Sequence, residues 1–284
     1  MRGYVYFSFD ITSCTAFKTN ILKKQFDINN KDDFERIVND VRNGRIPFIG
    51  EQYQELYRGQ SKDSYVLKPG ISRYVKTKEE LNILEAEIIS DFKKMVNKSP
   101  NTTKYIQLTD FDNDFENDWR WIEQIQHFRI PTRLLDWTID PRIALFFAVE
   151  SNQTEVGQFW IFKSPLNWSC DEHFEIDPFD KNIDLISNSS FYVEDDYQDK
   201  IAEQRMSFQS GKFTFQNSEK SIEPMENQNH LKDKMLKYTI NPSSKQNLLD
   251  YLLEFNINED TVYVRYDDEI ETLIGELKEK YSLK

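Results

Sequence analysis

The most constraining feature of the sequence is a short strand segment followed at once by an almost wholly apolar helix segment. Residues 133–138 read Arg-Leu-Leu-Asp-Trp-Thr, which predicts a short buried strand. Asp140-Pro141 then predicts the start of a helix that runs to Val149, because proline is favoured at the first helical position. Since that helix offers almost no polar face, we expect it at the centre of a folded core. Ile143–Val149, the longest apolar run, is far too short to cross a membrane.

The other periodic patterns predict helices and strands in irregular alternation. Helices are predicted over residues 34–42, 78–96, 118–130, 245–255 and 268–280. Strands are predicted over residues 4–11, 51–60, 156–162, 208–215 and 231–240. The acidic stretch 110–118 and the polar stretch 182–199 are expected to form loops. Because regular strand–helix–strand spacing is missing, the predicted fold class is α+β, with a mixed, mostly antiparallel sheet and flanking helices.

Charge and cysteine content limit the partners and the compartment. The 284 residues have a formal net charge of −13, from 36 basic and 49 acidic residues. Such a surface repels phosphate backbones, so we expect no non-specific nucleic-acid binding, although a local basic cleft could hold one nucleotide. Two cysteines cannot form a disulfide framework, and no signal segment opens the chain. We therefore expect a cytoplasmic protein that does not bind membranes; the sequence leaves its oligomeric state open.

Metal binding is not expected. Asp110, Asp112 and Asp114 are spaced like the start of a calcium loop, but Phe115 replaces the glycine that such a loop requires at its sixth position. The three histidines are too dispersed for a zinc motif. A solvated acidic loop is the simpler interpretation of the aspartates.

The densest group of polar residues in a core-forming stretch is residues 126–138. It contains His127, Arg133 and Asp136, and buried groups of these types need partners because unpaired charge in a core is costly. Two interpretations are open. Either the residues satisfy one another, for example Arg133 with Asp136 and His127 as a hydrogen-bonded core histidine, or they face a ligand cleft.

Together with Tyr57-Arg58-Gly59-Gln60, this segment resembles the FRG domain family, which is named for a Phe-Arg-Gly motif. Tyr57 stands here in place of the phenylalanine. Further matching positions are Pro69, Arg73, Pro141 with the helix after it, and Arg205 with Gln209-Ser210-Gly211-Lys212-Phe213. The resemblance covers about residues 51–240. It implies a strand–helix extension over residues 1–50, an FRG-like domain over 51–240, and a C-terminal helical extension over 241–284 packed on it.

The sequence also resembles ADP-ribosyltransferases, which place an arginine at the end of a first strand. Arg58-Gly59 matches that element, and Thr138 before the apolar helix is similar to their second element. The resemblance implies NAD as cofactor, with Arg58 on the pyrophosphate and Thr138 orienting either a ribose hydroxyl or its own strand. The late strand of these enzymes supplies a glutamate; here it offers the neutral Gln209, and Glu203 is the only carboxylate nearby.

These resemblances predict a site and two functions. The predicted catalytic residues are Arg58, Thr138, Glu203 and Gln209. The predicted cofactor-binding residues are Arg58, Gly59, Gln60, His127, Arg133 and Asp136. We expect Arg58, His127, Asp136 and Gln209 to converge above buried Leu134, Leu135, Trp137 and Phe146. The predicted function is a nucleotide-binding cleft in an NAD-dependent ADP-ribosyltransferase-like toxin or phage-conflict effector; the alternative is a catalytically inactive FRG module that binds a nucleotide or a protein partner.

Overall fold

A mixed sheet organises the chain. The computed structural model describes residues 27–44, 53–99, 102, 114–165, 176–189, 211–263 and 265–283. The strands within these ranges are β1 (Asp27–Ile28), β2 (Tyr53–Gln60), β3 (Leu135–Thr138), β4 (Gly157–Pro165), β5 (Ile186–Ser189), β6 (Gly211–Phe215) and β7 (Met235–Ile240). They form one sheet in the order β1-β7-β4-β2-β3-β6-β5. Within the described strands, the β1–β7 pair is parallel and the other pairs are antiparallel. The predicted α+β class is confirmed.

Helices flank this sheet. They are α1 (Lys31–Arg42), α2 (Lys78–Lys98), α3 (Asp114–His127), α4 (Pro141–Val149), α5 (Ser218–Ser221), α6 (Lys245–Leu253), α7 (Glu259–Val262) and α8 (Asp268–Lys280). Their ends follow from local sequence. Thr77 forms a capping box with Glu80 at the start of α2, and the Asp140 side chain accepts a hydrogen bond from the backbone N–H of Arg142 at the start of α4. No helix in the described ranges is both long enough and apolar enough to cross a membrane.

The sheet is covered on both faces, as the alternation of buried residues along its central strands requires. On β2, Tyr57 belongs to a core cluster shared with α1, α4 and α6, whereas its neighbour Leu56 belongs to a cluster on the opposite face. On β4, Phe159 belongs to the same cluster as Tyr57, and Phe162 belongs to the same cluster as Leu56. The apolar helix α4 lies across the first face, where its predicted central position is confirmed.

A separate helical cluster lies beside the sheet. Phe92 of α2, Phe128 just after α3, and Ile270 of α8 pack together there. Phe34 of α1 and Leu248 of α6 belong to the cluster that contains Phe159, so the core extends beyond residues 51–240 at both ends. The division of the chain into three parts stays a prediction.

Three local expectations need correction. The expected acidic loop 110–118 is wrong from residue 114 onward, because α3 begins at Asp114; acidic residues suit a first helical turn, and Trp119 anchors the helix against Phe215 with ring centroids 4.5 Å apart. The polar stretch 182–199 contains β5, which pairs with β6. Strand β7 begins at residue 235 rather than 231, after a 3₁₀ turn over residues 232–234. The predicted strand 4–11 lies outside the described residues.

Candidate functional site

A cleft of about 280 Å³ lies where the end of α3 meets β3, β6 and the turn at residues 70–73. Its apolar floor includes Leu134, Leu135, Trp137 and Phe213, all buried. Charged side chains also line the cleft: Arg58, Arg73, Arg129 and Lys212 are basic, and Glu123 and Asp136 are acidic. The cleft is therefore a local concentration of cations in a strongly acidic chain.

Arg58 reaches the cleft because strand geometry turns it away from its neighbour. Successive side chains of β2 point to opposite faces, so Arg58 shares a face with Leu56 while Gly59 faces α4. Arg58 donates one hydrogen bond to the backbone carbonyl of Asp136, and its Nε–H is buried without a partner among the described residues. Burial lowers the pKa of the guanidinium to about 10, an effect that Asp136 opposes and Arg73 reinforces. Arg58 therefore stays charged at neutral pH.

Arg73 is a second cation close to the first. It ends the 3₁₀ turn Ile71–Arg73, and its Nε and Nη2 donate to the carbonyl of Lys68 at 3.2 and 3.0 Å. The turn is fixed because the Ile71 N–H donates to the Thr132 carbonyl at 3.2 Å. Arg73 also helps to lower the pKa of Lys68, behind burial as the main cause. Within the described residues, neither Arg58 nor Arg73 forms an ion pair with a carboxylate.

Asp136 is oriented by a chain of hydrogen bonds. The Leu134 N–H donates to Thr132 Oγ1 at 3.1 Å, Thr132 Oγ1 donates to Gln126 Oε1 at 2.8 Å, and Gln126 Nε2 donates to Asp136 Oδ2 at 2.7 Å. An ionised carboxylate can only accept, so Gln126 presents its amide N–H to Asp136 and its Oε1 to the Thr132 hydroxyl, which fixes the direction of these bonds. Among the described residues, Asp136 Oδ1 accepts no hydrogen bond. The carboxylate of this exposed residue is thus oriented through one of its two oxygens.

The C-terminus of α3 shapes the rim of the cleft. Arg129 has φ of 58°, in the left-handed region that favours glycine, and the Ile130 N–H donates to the Ile125 carbonyl at 3.1 Å to close the helix. The Arg129 guanidinium forms an ion pair with Glu271 of α8. His127 is buried, lines the cleft, and accepts through its carbonyl a 2.6 Å hydrogen bond from the Tyr266 hydroxyl. The C-terminal part of the chain therefore supports the cleft.

Arg133 does not line the cleft, although it was predicted to bind a cofactor. It is buried, its Nη2 lies 2.8 Å from a carboxylate oxygen of Glu85 on α2, and it donates further hydrogen bonds to the carbonyls of Gln216 and Pro178. Its guanidinium also stacks over Phe215, 4.4 Å from the ring centroid. The internal ion-pair interpretation therefore describes Arg133, but its partner is Glu85 rather than Asp136. The sequence could not supply that partner, because Glu85 is 48 positions away.

Three further predicted site residues also lie outside the cleft lining. A Cβ on Gly59 would lie 1.8 Å from the Ala144 carbonyl oxygen, so this glycine permits the contact between β2 and α4. Gln60 is buried and accepts a hydrogen bond from Trp160 Nε1 at 3.2 Å. Thr138 is buried, and its hydroxyl accepts a 3.0 Å hydrogen bond from the Asp140 N–H just before α4. The contacts of Gly59 and Thr138 thus hold strand and helix together, and that of Gln60 joins β2 to β4.

The predicted convergence is met in part. Arg58, His127 and Asp136 line one cleft, and Leu134, Leu135 and Trp137 are buried beneath it as expected. Phe146 is buried too, but it lies in the cluster on the α4 face and not beside the cleft. Two catalytic candidates, Glu203 and Gln209, lie outside the described residues.

The contribution of α3 to the cleft was not predicted. Glu123 lines the cleft and is buried, but it was not among the predicted site residues. A signal was present, because Glu123, Gln126 and His127 have the spacing i, i+3, i+4 that places side chains on one side of a helix. Arg73 was identified only through the family resemblance. Lys212 was identified only as part of the matching segment Gln209-Ser210-Gly211-Lys212-Phe213. No group of three or more potential metal ligands occurs within the described residues.

Comparison with known proteins identifies one similarity. Residues 54–156 match the model of the FRG domain family. The matched segment includes β2, β3 and α4 and every lining residue of the cleft except those of β6. No curated protein matches the chain, and no solved structure matches it either.

Proposed function

We propose that the FRG domain of this chain, residues 54–156, binds the phosphate group of a nucleotide in the cleft lined by Arg58 and Arg73. One observation carries the proposal: two guanidinium groups lie close together in the cleft, and neither is ion-paired to a carboxylate in the described part of the chain. Holding like charges together is costly unless an anion neutralises them. Arginine presents a planar set of donors that matches phosphate oxygens.

Two further properties support a phosphate ligand. No residue in the described ranges accepts a hydrogen bond from the buried Arg58 Nε–H, and a buried donor left unsatisfied costs free energy that a ligand oxygen would recover. The volume of about 280 Å³ is close to the lower end of the range for cavities that enclose small molecules, roughly 300–1,000 Å³. The enclosed part of the ligand is accordingly small, such as one phosphate with its adjoining group.

Isothermal titration calorimetry with AMP, ADP and NAD tests this proposal. We expect Arg58→Ala to weaken nucleotide binding at least about tenfold, since a hydrogen bond to a charged group contributes about 1.5–3 kcal/mol. Arg58→Lys should fail as well, because a point charge cannot reproduce two parallel hydrogen bonds. The matched control is Arg36→Ala on α1, an arginine whose side chain is 49% exposed and pairs with Asp33; it should bind like the native protein.

Thermal unfolding of each variant separates loss of the site from loss of the fold. Native affinity for all three nucleotides in a folded Arg58→Ala protein would contradict the proposal. The same holds if the native protein binds none of them.

We propose NAD-dependent ADP-ribosyl transfer as a second candidate function, because Glu123 brings a buried carboxylate to the cleft of Arg58. In that reaction the bond between nicotinamide and ribose breaks, the electron pair leaves with nicotinamide, and an acceptor nucleophile bonds to the ribose and gives up its proton. A carboxylate stabilises the positive charge that develops on the ribose. Glu123 would fill the role for which Glu203 was the sequence-based candidate. This activity would suit a toxin or phage-conflict effector.

Nicotinamide release from NAD, followed by chromatography, distinguishes the two candidates. If the protein is a transferase, Glu123→Gln should reduce turnover by about 10²-fold or more, as expected on losing one preorganised transition-state contact. The control Glu279→Gln removes an exposed carboxylate of α8 and should leave turnover unchanged. Nucleotide binding without nicotinamide release would leave the catalytically inactive module, which binds a nucleotide or a protein partner, as the function.

A further inference from the structure

We infer that the ligand of this cleft has a hydroxyl-bearing sugar directly beside its phosphate, and that Asp136 binds a sugar hydroxyl while Arg58 binds the phosphate. This inference rests on the proposed function and specifies its ligand class as a sugar phosphate. It comes from the juxtaposition, in one cavity, of an oriented carboxylate and an arginine N–H that has no partner in the part of the chain that the structure describes.

The carboxylate of Asp136 is prepared to accept a hydrogen bond from a ligand. The chain from the Leu134 N–H through Thr132 and Gln126 ends on Oδ2 and fixes the carboxylate plane. Asp136 is exposed, and an ionised carboxylate can only accept, so Oδ1 is available to a hydrogen-bond donor of a ligand in exchange for water. A short chain that begins at a backbone N–H and ends on a cleft-lining oxygen is what a preorganised binding group needs.

The donor is a hydroxyl rather than a cation. Arg58 lies near Asp136 and Arg73 near Arg58, and a ligand ammonium or guanidinium would add a further positive charge to a cleft that four basic side chains already line. A hydroxyl donates to the carboxylate without that repulsion, and its own lone pairs can accept from neighbouring N–H groups.

The phosphate and the hydroxyl belong to adjoining parts of one molecule. Arg58 donates directly to the backbone carbonyl of Asp136, the same residue whose side chain offers Oδ1. The Arg58 guanidinium and the Asp136 carboxylate are therefore linked by the hydrogen bond from Arg58 to the Asp136 backbone, and both line the cavity of about 280 Å³. A sugar phosphate meets both requirements within a few bonds, whereas inorganic phosphate meets one.

Calorimetric titration of the full chain with ribose 5-phosphate and with inorganic phosphate tests the inference. The measured quantity is the ratio of the two association constants. We expect a ratio of about ten or more in the native protein, since a hydrogen bond to a charged acceptor is among the stronger ones. Asp136→Ala and Gln126→Ala should each lower the ratio towards one, the first by removing the carboxylate and the second by removing the group that orients it.

Asp136→Asn is the second variant in case Asp136→Ala does not fold, because asparagine keeps the shape and removes the charge. It should also lower the ratio, whereas Arg36→Ala should leave it at the native value. A native ratio near one, with inorganic phosphate bound, would overturn this inference and leave the proposed function standing. If neither compound nor any nucleotide binds, both are wrong. An unchanged ratio in a folded Asp136→Asn protein would likewise overturn the role of Asp136.

Discussion

At the scale of the residue, the two neighbours Arg58 and Gly59 have different roles: Arg58 lines the cleft, and Gly59 permits close packing against α4. Strand alternation turns Arg58 towards the cleft and Gly59 towards α4. A Cβ at Gly59 would lie 1.8 Å from the Ala144 carbonyl oxygen and 2.5 Å from the Ala148 nitrogen, both backbone atoms that cannot move independently. The motif therefore couples one binding residue to one packing residue.

We expect Gly59→Ala to lower the free energy of unfolding by about 1–3 kcal/mol or more, because the added methyl group overpacks the β2–α4 contact. The matched control is Gly275→Ala in α8, where no atom lies within 4 Å of the added Cβ. That change should raise stability by about 0.5–1 kcal/mol through better helix propensity. Urea unfolding measures the free energy of unfolding of both variants. Equal stability of the two variants would contradict the packing role of Gly59.

At the scale of the element, the four-residue strand β3 connects the cleft to the core. Asp136 lines the cleft, while Leu135 and Trp137 belong to the cluster on the face opposite α4. Trp137 donates through Nε1 to Thr214 Oγ1 of β6 at 3.0 Å, which joins β3 to its neighbouring strand. Since β3 has only four residues, its position depends on these side-chain contacts as well as on its backbone pairing with β6.

Leu135→Ala should lower the free energy of unfolding by about 2–5 kcal/mol, because Leu135 is 2% exposed and its truncation leaves a cavity beneath the cleft. Ile139→Ala is the neighbouring control: Ile139 is 44% exposed, so its change should remain within about 0.5 kcal/mol. Chemical denaturation of the two proteins provides the comparison. A near-zero effect at Leu135 would show that β3 is not anchored in the core.

At the scale of the whole molecule, the segments on either side of residues 51–240 belong to the same cores as the sheet. Leu248 and Leu252 of α6 pack in the cluster of Phe159, and Ile270 of α8 packs in the cluster of Phe92. The C-terminal part also supports the cleft directly through the Tyr266 hydroxyl on the His127 carbonyl. Stability and site geometry therefore depend on contacts that extend beyond the segment matched by the FRG family.

Truncation after Ile240 should abolish cooperative thermal unfolding, followed by circular dichroism. Removal of α6 and α8 exposes two apolar clusters to water, and each buried leucine or isoleucine lost contributes about 1.5–3 kcal/mol of burial. The full-length protein is the control. A truncated protein that unfolds cooperatively at the midpoint of the full chain would show that residues 241–284 are a dispensable extension.

The sequence by itself determined the elements whose patterns are local. Proline and its preceding aspartate placed the start of α4, helical periodicity placed α8 over residues 268–280, and both agree with the structure. The same holds for the buried residues of β3. Such signals need only a few consecutive residues, because helix caps and side-chain periodicity are set by neighbours along the chain. The convergence of Arg58, His127 and Asp136 is not a local pattern, and it was expected only from the family resemblance.

Only the tertiary structure decided which polar residues face the cleft and which satisfy the core. Arg133 and Asp136 lie three positions apart, yet the first pairs with Glu85 of α2 and the second lines the cleft with Arg58. Gly59 and Thr138 likewise turned out to make strand–helix contacts. The physical reason is that a buried charge is satisfied by whatever partner the fold brings within hydrogen-bond distance, and that partner is usually remote in sequence.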